Sequence, residues 1–224
     1  DKDEMSTLTE SNQLKMKNTL LLLSLVFHIQ SILFSQTGTL DPAFGLGGIV
    51  STPAYGSPET TAWGAEIDEN GKILISGNAH LPYIVRYLPS GKRDSSFAEH
   101  GMLIYDKFWP KNMKALPNGK ILLFGEMIAR LNADGSDDPT FQGILPNGAT
   151  LVSDAVSQAD GKILLALSGS VPPFNQYCVA RYLENGALDL SFGQNGLAHN
   201  ASEWSGEAID MTVQSDGKIL VIGN

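Results

Sequence analysis

Four short apolar runs recur along the chain, each opened by Gly-Lys-Ile-Leu and each preceded by Asn or Asp: Asn70-Gly71, Asn118-Gly119, Asp160-Gly161 and Asp216-Gly217. Asn-Gly and Asp-Gly tolerate positive φ at both central positions of a two-residue turn, so each run predicts the second strand of a hairpin. The first strand shows as alternating segments before the turn, at 65–68 and 211–214. A third strand is predicted over 83–87, with counterparts ending at Arg130 and Arg181, and a fourth over 48–50, 101–105 and 196–198. No helical period follows residue 37. Gly71, Gly119, Gly161 and Gly217 are 48, 42 and 56 residues apart, the period range of a four-stranded propeller blade. Four short antiparallel strands cannot bury both faces alone, so each sheet must stack on copies of itself.

A second signature lies between the hairpins. From Arg86, Arg130 and Arg181, Gly stands five residues on, Asp eight and Phe eleven, giving Asp94 and Phe97, Asp138 and Phe141, Asp189 and Phe192. Ile84, Ile128 and Val179 share a strand face with their Arg, and Val85, Ala129 and Ala180 share the other. Both faces are apolar, as in a strand sandwiched between blades. An unpaired guanidinium there costs several kcal/mol, so each Arg is expected to pair with its own Asp, bidentate where geometry allows. A residue set repeated identically in every unit reads as architecture rather than as a ligand funnel.

Residues 216–223, 179–182 and 186–193 resemble the delta-60 repeat family of bacterial β-propellers, and the resemblance runs from Gly38 to Asn224. It implies an all-β propeller of four-stranded antiparallel blades from a secreted or surface-exposed bacterial protein, with no cofactor and no established activity. The unit at Arg130 departs from the pattern, with Arg130-Leu131-Asn132 and a shorter Phe141-Gln142-Gly143. Four hairpins against three Arg strands are read as an incomplete arc of about three to four blades. Its partners would then include the remaining repeats of its own full-length chain. Residues 38–50 are expected to supply the fourth strand of a closing blade.

Composition narrows the setting. The chain has 224 residues, 42% hydrophobic and 17% charged, with 23 Gly and 11 Pro, which is globular and turn-rich. A net charge of -9 without any basic run argues against nucleic acid, whose phosphates need a cationic surface. A single cysteine, Cys178, allows no internal disulfide and sits in an apolar stretch, where it reads as a small core residue. Lys15 and Lys17 precede an apolar run over 20–34 that is interrupted by Ser24, His28, Gln30 and Ser31. That is the pattern of a signal peptide, assigned to 16–36 with cleavage between Ser35 and Gly38, and it leaves no membrane span afterwards. Residues 1–15 read as a leader outside the native start, and the propeller repeats as 37–224. Gly38, Asp41 and Phe44 repeat the spacing of Gly91, Asp94 and Phe97, while the matching Arg position falls on Leu33.

Catalytic motifs are sparse. His80, His100 and His199 have no metal-ligand spacing, and there is no nucleophile elbow or phosphate loop. Residues 66–71 resemble the start of a calcium loop, but its twelfth position is Gly77 where a bidentate Glu is required. His100, like Gly47 and Asn195, is expected at a left-handed turn position. What differs between units is aromatic: Trp63, Trp109 and Trp204 on linkers, and Phe174 on the long loop after Ser168. These either wedge between blades or grip a glycan or protein ligand at the cell surface. A non-catalytic binding protein is the leading reading; a propeller enzyme of lactonase, glycosidase or quinoprotein type, acting at the central tunnel, stays open beside it.

Overall fold

The computed structural model describes residues 38–52, 60–169, 171, 177–199 and 206–224. Contacts divide the chain into two units, Asp1–Asp41 and Pro42–Asn224. Of the first unit only residues 38–41 are described, and all are exposed. The signal segment, Trp204 and Phe174 lie outside the described residues. Among the described residues no helix is long and apolar enough to cross a membrane.

The second unit is all-β. Its first sheet has the order β1 (Thr61–Ile67), β2 (Ile73–Ala79), β3 (Leu81–Tyr87) and β4 (Met102–Ile104). The second has β5 (Pro110–Ala115), β6 (Ile121–Gly125) and β7 (Ile128–Leu131). The third has β8 (Ala149–Ser157), β9 (Ile163–Gly169), β10 (Cys178–Tyr182) and β11 (Leu197–Ala198). The last is the hairpin β12 (Ala208–Val213) with β13 (Ile219–Gly223). All pairings are antiparallel. This is an incomplete β-propeller, with sheets of four, three, four and two strands.

The second strand of each sheet is apolar at successive positions because both its faces are covered. Leu74 packs with Ile121 and Leu123 of the next sheet, Leu122 and Phe124 with Ile163 and Leu165, and Leu164 and Ala166 with Ala208 and Met211. In the last hairpin Leu220 and Ile222 are 48% and 60% exposed, although the counterparts of the first, Leu74, Leu122 and Leu164, and of the second, Ser76, Phe124 and Ala166, are buried.

Three expectations change. The Gly-Lys hairpins do not use two-residue turns with both residues left-handed. At 68–72, Asp68 N–H donates to Lys72 O and Gly71 N–H to Asp68 O, a three-residue loop in which only the Gly has positive φ. The loop at Gly119 differs, because Asn118 is left-handed as well. Asp68 Oδ1 accepts the N–H groups of Asn70 and Lys72, so the calcium-like segment is a side-chain-braced turn. The second sheet has no fourth strand, since the chain after its short Phe141-Gln142-Gly143 runs through 143–148 without pairing. Residues 48–50 join no sheet; Ile49 bridges Leu46 only. Gly47, His100 and Asn195 all take positive φ.

Candidate functional site

The hairpin turns and the Arg strands' C-termini lie at one end of the sheets, and the first strands' starts at the other. At the turn end, the Arg-Gly-Asp-Phe spacing resolves into a latch between successive repeats. Arg Nε donates to Asp Oδ2 at 2.8 Å for Arg86–Asp94, 2.7 Å for Arg130–Asp138 and 2.8 Å for Arg181–Asp189. Each guanidinium also stands over its own Phe, 4.6, 4.6 and 4.5 Å from the centroids of Phe97, Phe141 and Phe192. The ion pairs use one Arg nitrogen rather than two. Asp Oδ1 is already occupied by the hydroxyl and N–H of Ser96, Thr140 or Ser191, and Nη1 of Arg86 and Arg130 reaches forward to the next repeat.

That forward reach explains the remaining spacing. Arg86 Nη1 donates to Ala133 O and Arg130 Nη1 to Glu184 O, the carbonyl three residues after the following Arg. The residue after each Phe donates its N–H one carbonyl further on: Ala98 to Asp134 O at 2.7 Å and Gln142 to Asn185 O at 2.9 Å. Gly45, after Phe44, does the same to Ser90 O at 2.9 Å, so the segment before β1 docks as the tail of a repeat. Phe97 and Phe141 each rest on the next turn's glycine: a Cβ on Gly135 would lie 2.9 Å from Phe97, and one on Gly186 2.7 Å from Phe141. Arg86 and Arg130 are 3% and 5% exposed. The Arg181 side chain is 23% exposed, and no carbonyl among the described residues meets its Nη1.

The spacing rule had missed two members of the latch. Lys72 and Lys120 add a second cation to Asp94 and Asp138 at 2.9 and 2.6 Å, whereas Lys162 turns to Asp160 instead. Their signal was the Lys that follows every hairpin Gly, and the hydroxyl residue ten after each Arg was the signal for the Asp brace. Burial pushes the Asp94 carboxyl upward, but hydrogen bonds from Ser96 and Lys72 and the charge of Arg86 outweigh it and hold the pKa well below the usual range. Asp138 behaves alike through Lys120, Thr140 and Arg130. For Asp189 the Ser191 hydroxyl is the main cause of a lowered pKa.

The opposite end is built on a bulge. Every first strand carries an extra residue five positions before its hairpin loop, at Trp63, Lys111, Ser153 and Ile209, and β8 carries a second one further out at Thr150. Opposite the bulge stands a glycine of the second strand in three sheets, Gly77, Gly125 and Gly223; in the third sheet Leu167 takes that place and Gly169 faces the outer bulge. A Cβ on Gly77 would lie 2.4 Å from Thr61 O, and one on Gly223 2.4 Å from Glu207 O, so the bulged backbone leaves no room for a side chain. The recurring glycine was visible in the sequence but was not read as a bulge partner.

Two of the four candidate ligand-binding aromatics meet here. Trp63 at its bulge and Trp109 just before β5 stand with ring centroids 6.1 Å apart and planes inclined by 44°. Trp63 is half-buried, and Trp109 is 52% exposed and so is no interior wedge. With Ala62, Pro110, Lys111 and Glu126 they line a cleft of about 570 Å³. Lys111 and Glu126 are exposed and form no salt bridge among the described residues.

One residue past the bulge, the first strands carry Gly64, Asn112, Asp154 and Asp210, polar in every sheet but the first. Asp154 Oδ2 accepts the Met211 N–H at 3.0 Å across the sheet gap. Burial, with a hydrogen bond and the like charge of Asp210, pushes the Asp154 carboxyl upward. Among the described residues no three His, Cys, Asp or Glu side chains are placed to hold a metal ion. Cys178 is buried, and burial pushes its thiol up to about 11.

Strand order, stacked sheets and the repeated latch define the class: a β-propeller repeat protein. Residues 69–97, 116–141 and 158–192 match the model of a β-propeller domain of unknown function, DUF5122. Each matched segment runs from a hairpin turn, or just before it, to a latch Phe, so three successive latches fall within the family pattern. No curated protein matches the chain. Among solved structures, a protein of unknown function from Bacteroides caccae is 13% identical with a TM-score of 0.33, covering 66% of this chain and 73% of its own.

Proposed function

We propose that the chain is a secreted or surface-exposed, non-catalytic propeller repeat protein that binds its ligand at the bulge end. The contrast between the two ends carries this reading. Latch positions hold the same residue types in successive repeats, as a scaffold requires. The four equivalent bulge positions hold Trp, Lys, Ser and Ile on one backbone geometry, which is how repeat proteins vary a binding surface without altering the frame. Export is supported by Lys15, Lys17 and the apolar run over 20–34. Expression of the full chain in a diderm bacterium, followed by fractionation and N-terminal sequencing, tests the export. Labelled chain applied to intact cells and to glycan and protein arrays tests the binding. Retention in the cytoplasm would remove the first part, and binding to nothing displayed would remove the second.

One feature favours the catalytic reading: Asp154 and Asp210 stand side by side on adjacent first strands, and burial together with the Asp210 carboxyl pushes the Asp154 carboxyl upward, as in paired acid–base carboxyls. Against it, Asp154 Oδ2 is already engaged by the Met211 N–H, which gives the pair a task in joining β8 to β12. Turnover of a chromogenic lactone or glycoside that is abolished in Asp154→Asn would transfer the function to that pair.

A further inference from the structure

We infer that the Trp63–Trp109 cleft is a binding site for a neutral glycan, stacking one pyranose ring on the inclined indoles. The inference rests on the binding role proposed above and names its ligand class.

The first argument comes from the repeats themselves. The slot of Trp63 is filled by Lys111, Ser153 and Ile209 in the other sheets. The slot of Trp109, two residues before the bulge, is filled by Thr61, Leu151 and Glu207. The scaffold therefore accepts polar, aliphatic and charged residues at both positions and needs an aromatic at neither. Yet two tryptophans occupy adjacent slots of neighbouring sheets and face one cleft, with Trp109 52% exposed. Leaving that much indole in water forgoes burial worth about 25 cal/mol per Å². A ligand that covers it recovers that term.

The shape and charge of the cleft select among ligands. Two rings inclined by 44° form an open wedge, not the parallel slot that would sandwich a flat aromatic ligand. A chair-shaped ring fits such a wedge, its axial C–H groups on the indole faces and its equatorial hydroxyls directed outward. At the rim stand one ammonium, Lys111, and one carboxylate, Glu126, neither spent on a salt bridge among the described residues. A sugar hydroxyl accepts from the first and donates to the second. A cationic ligand meets Lys111, and an anionic one meets Glu126 and the chain's net charge of -9. A volume of about 570 Å³ lies within the usual range for small-molecule sites, roughly 300–1,000 Å³.

The test is a titration of the full chain, followed by tryptophan fluorescence and calorimetry. Probes are neutral gluco-, manno-, galacto- and N-acetylglucosamine hexasaccharides, with polygalacturonate, chitosan hexamer and decaproline as the charged and peptide comparisons. At least one neutral hexasaccharide is expected to shift the emission and bind. Trp63→Ala and Trp109→Ala should each weaken it about tenfold or more, the usual loss for a stacking anchor. Trp109→Phe should retain part of the affinity, and all three variants should keep the circular dichroism spectrum and melting temperature of the parent. Failure of every neutral hexasaccharide overturns the inference, as does binding that is indifferent to both tryptophans, or binding of decaproline alone. Cell-surface or array binding that survives in Trp109→Ala would remove the glycan site while leaving the proposed function standing; loss of all binding in the parent would remove both.

Discussion

At the turn end of the sheets, successive repeats place Arg, Asp and Phe in the same contacts, with Arg86 and Arg130 buried and each of the three Arg side chains paired with its own Asp. At the bulge end, one backbone geometry carries Trp63, Lys111, Ser153 and Ile209, half-buried or exposed. The division follows from what each end has to satisfy. A guanidinium buried between two sheets has little water to turn to, so its donors need protein partners, and the set that supplies them cannot vary piecemeal. A bulge needs only a backbone irregularity, which leaves its side chain free.

The largest expected effect breaks the latch. Asp138→Ala strands Arg130 and Lys120 without their carboxylate and leaves a buried cation, costing about 3–5 kcal/mol. Denaturant unfolding measures it. Trp109→Ala, at the other end, should stay within about 1 kcal/mol, as expected for an exposed side chain. Equal losses would abolish the distinction between a structural and a functional end.

Next in size is the glycine on which the latch Phe rests. Gly135 has φ 90° and a Cβ there would sit 2.9 Å from Phe97, whereas Gly217 has φ 82° with nothing within 4 Å. Gly217→Ala pays only for the left-handed backbone, roughly 1–2 kcal/mol. Gly135→Ala pays that and also displaces a buried ring, so it should cost about 1–3 kcal/mol more, in line with overpacking. Similar melting temperatures for the two variants would mean that the Phe-to-glycine contact does not hold the repeats together.

Much of the turn end was legible because its chemistry repeats. Arg86, Asp94 and Phe97 recur at fixed offsets, and an Arg on a strand apolar on both faces demands a partner. What offsets could not convey was direction. Nothing in one repeat's sequence says that Arg130 Nη1 reaches Glu184, because that bond joins positions 54 residues apart. The expected second Arg–Asp bond is missing for a local reason: Arg86 Nη2 and Arg181 Nη2 face the Ser96 and Ser191 hydroxyls, which themselves brace the Asp. Hairpin turns were misread for a local reason, since Asn-Gly and Asp-Gly suit both two-residue loops and three-residue loops that end on a left-handed Gly. At the bulge end only residue types were legible. That Trp63 and Trp109, 46 positions apart in the chain, share a cleft depends on how two sheets stack.

The smallest effects concern pH, and here the latch and the first strands should respond with opposite sign. Asp94, Asp138 and Asp189 have lowered pKa values, so their contribution is complete above the ordinary aspartate value of about 3.9 and is lost as pH falls below it into strong acid. The parent melting temperature should therefore decline from about pH 4 downward. Asp154 has a raised pKa, which means the fold favours its protonated form. Its contribution is thus greatest below the ordinary aspartate value and is lost as pH rises through the raised one, leaving a like-charge contact with Asp210 at neutral pH. Asp154→Asn keeps an oxygen for the Met211 N–H and removes that contact, so it should stabilise the protein at pH 7 by roughly 0.2–1 kcal/mol, the scale of a cross-strand charge pair. The gain should vanish near pH 3. A variant that is destabilised at pH 7 would show that Asp154 is needed in its charged form, and would move the first strands from the architectural side of the comparison to the functional one.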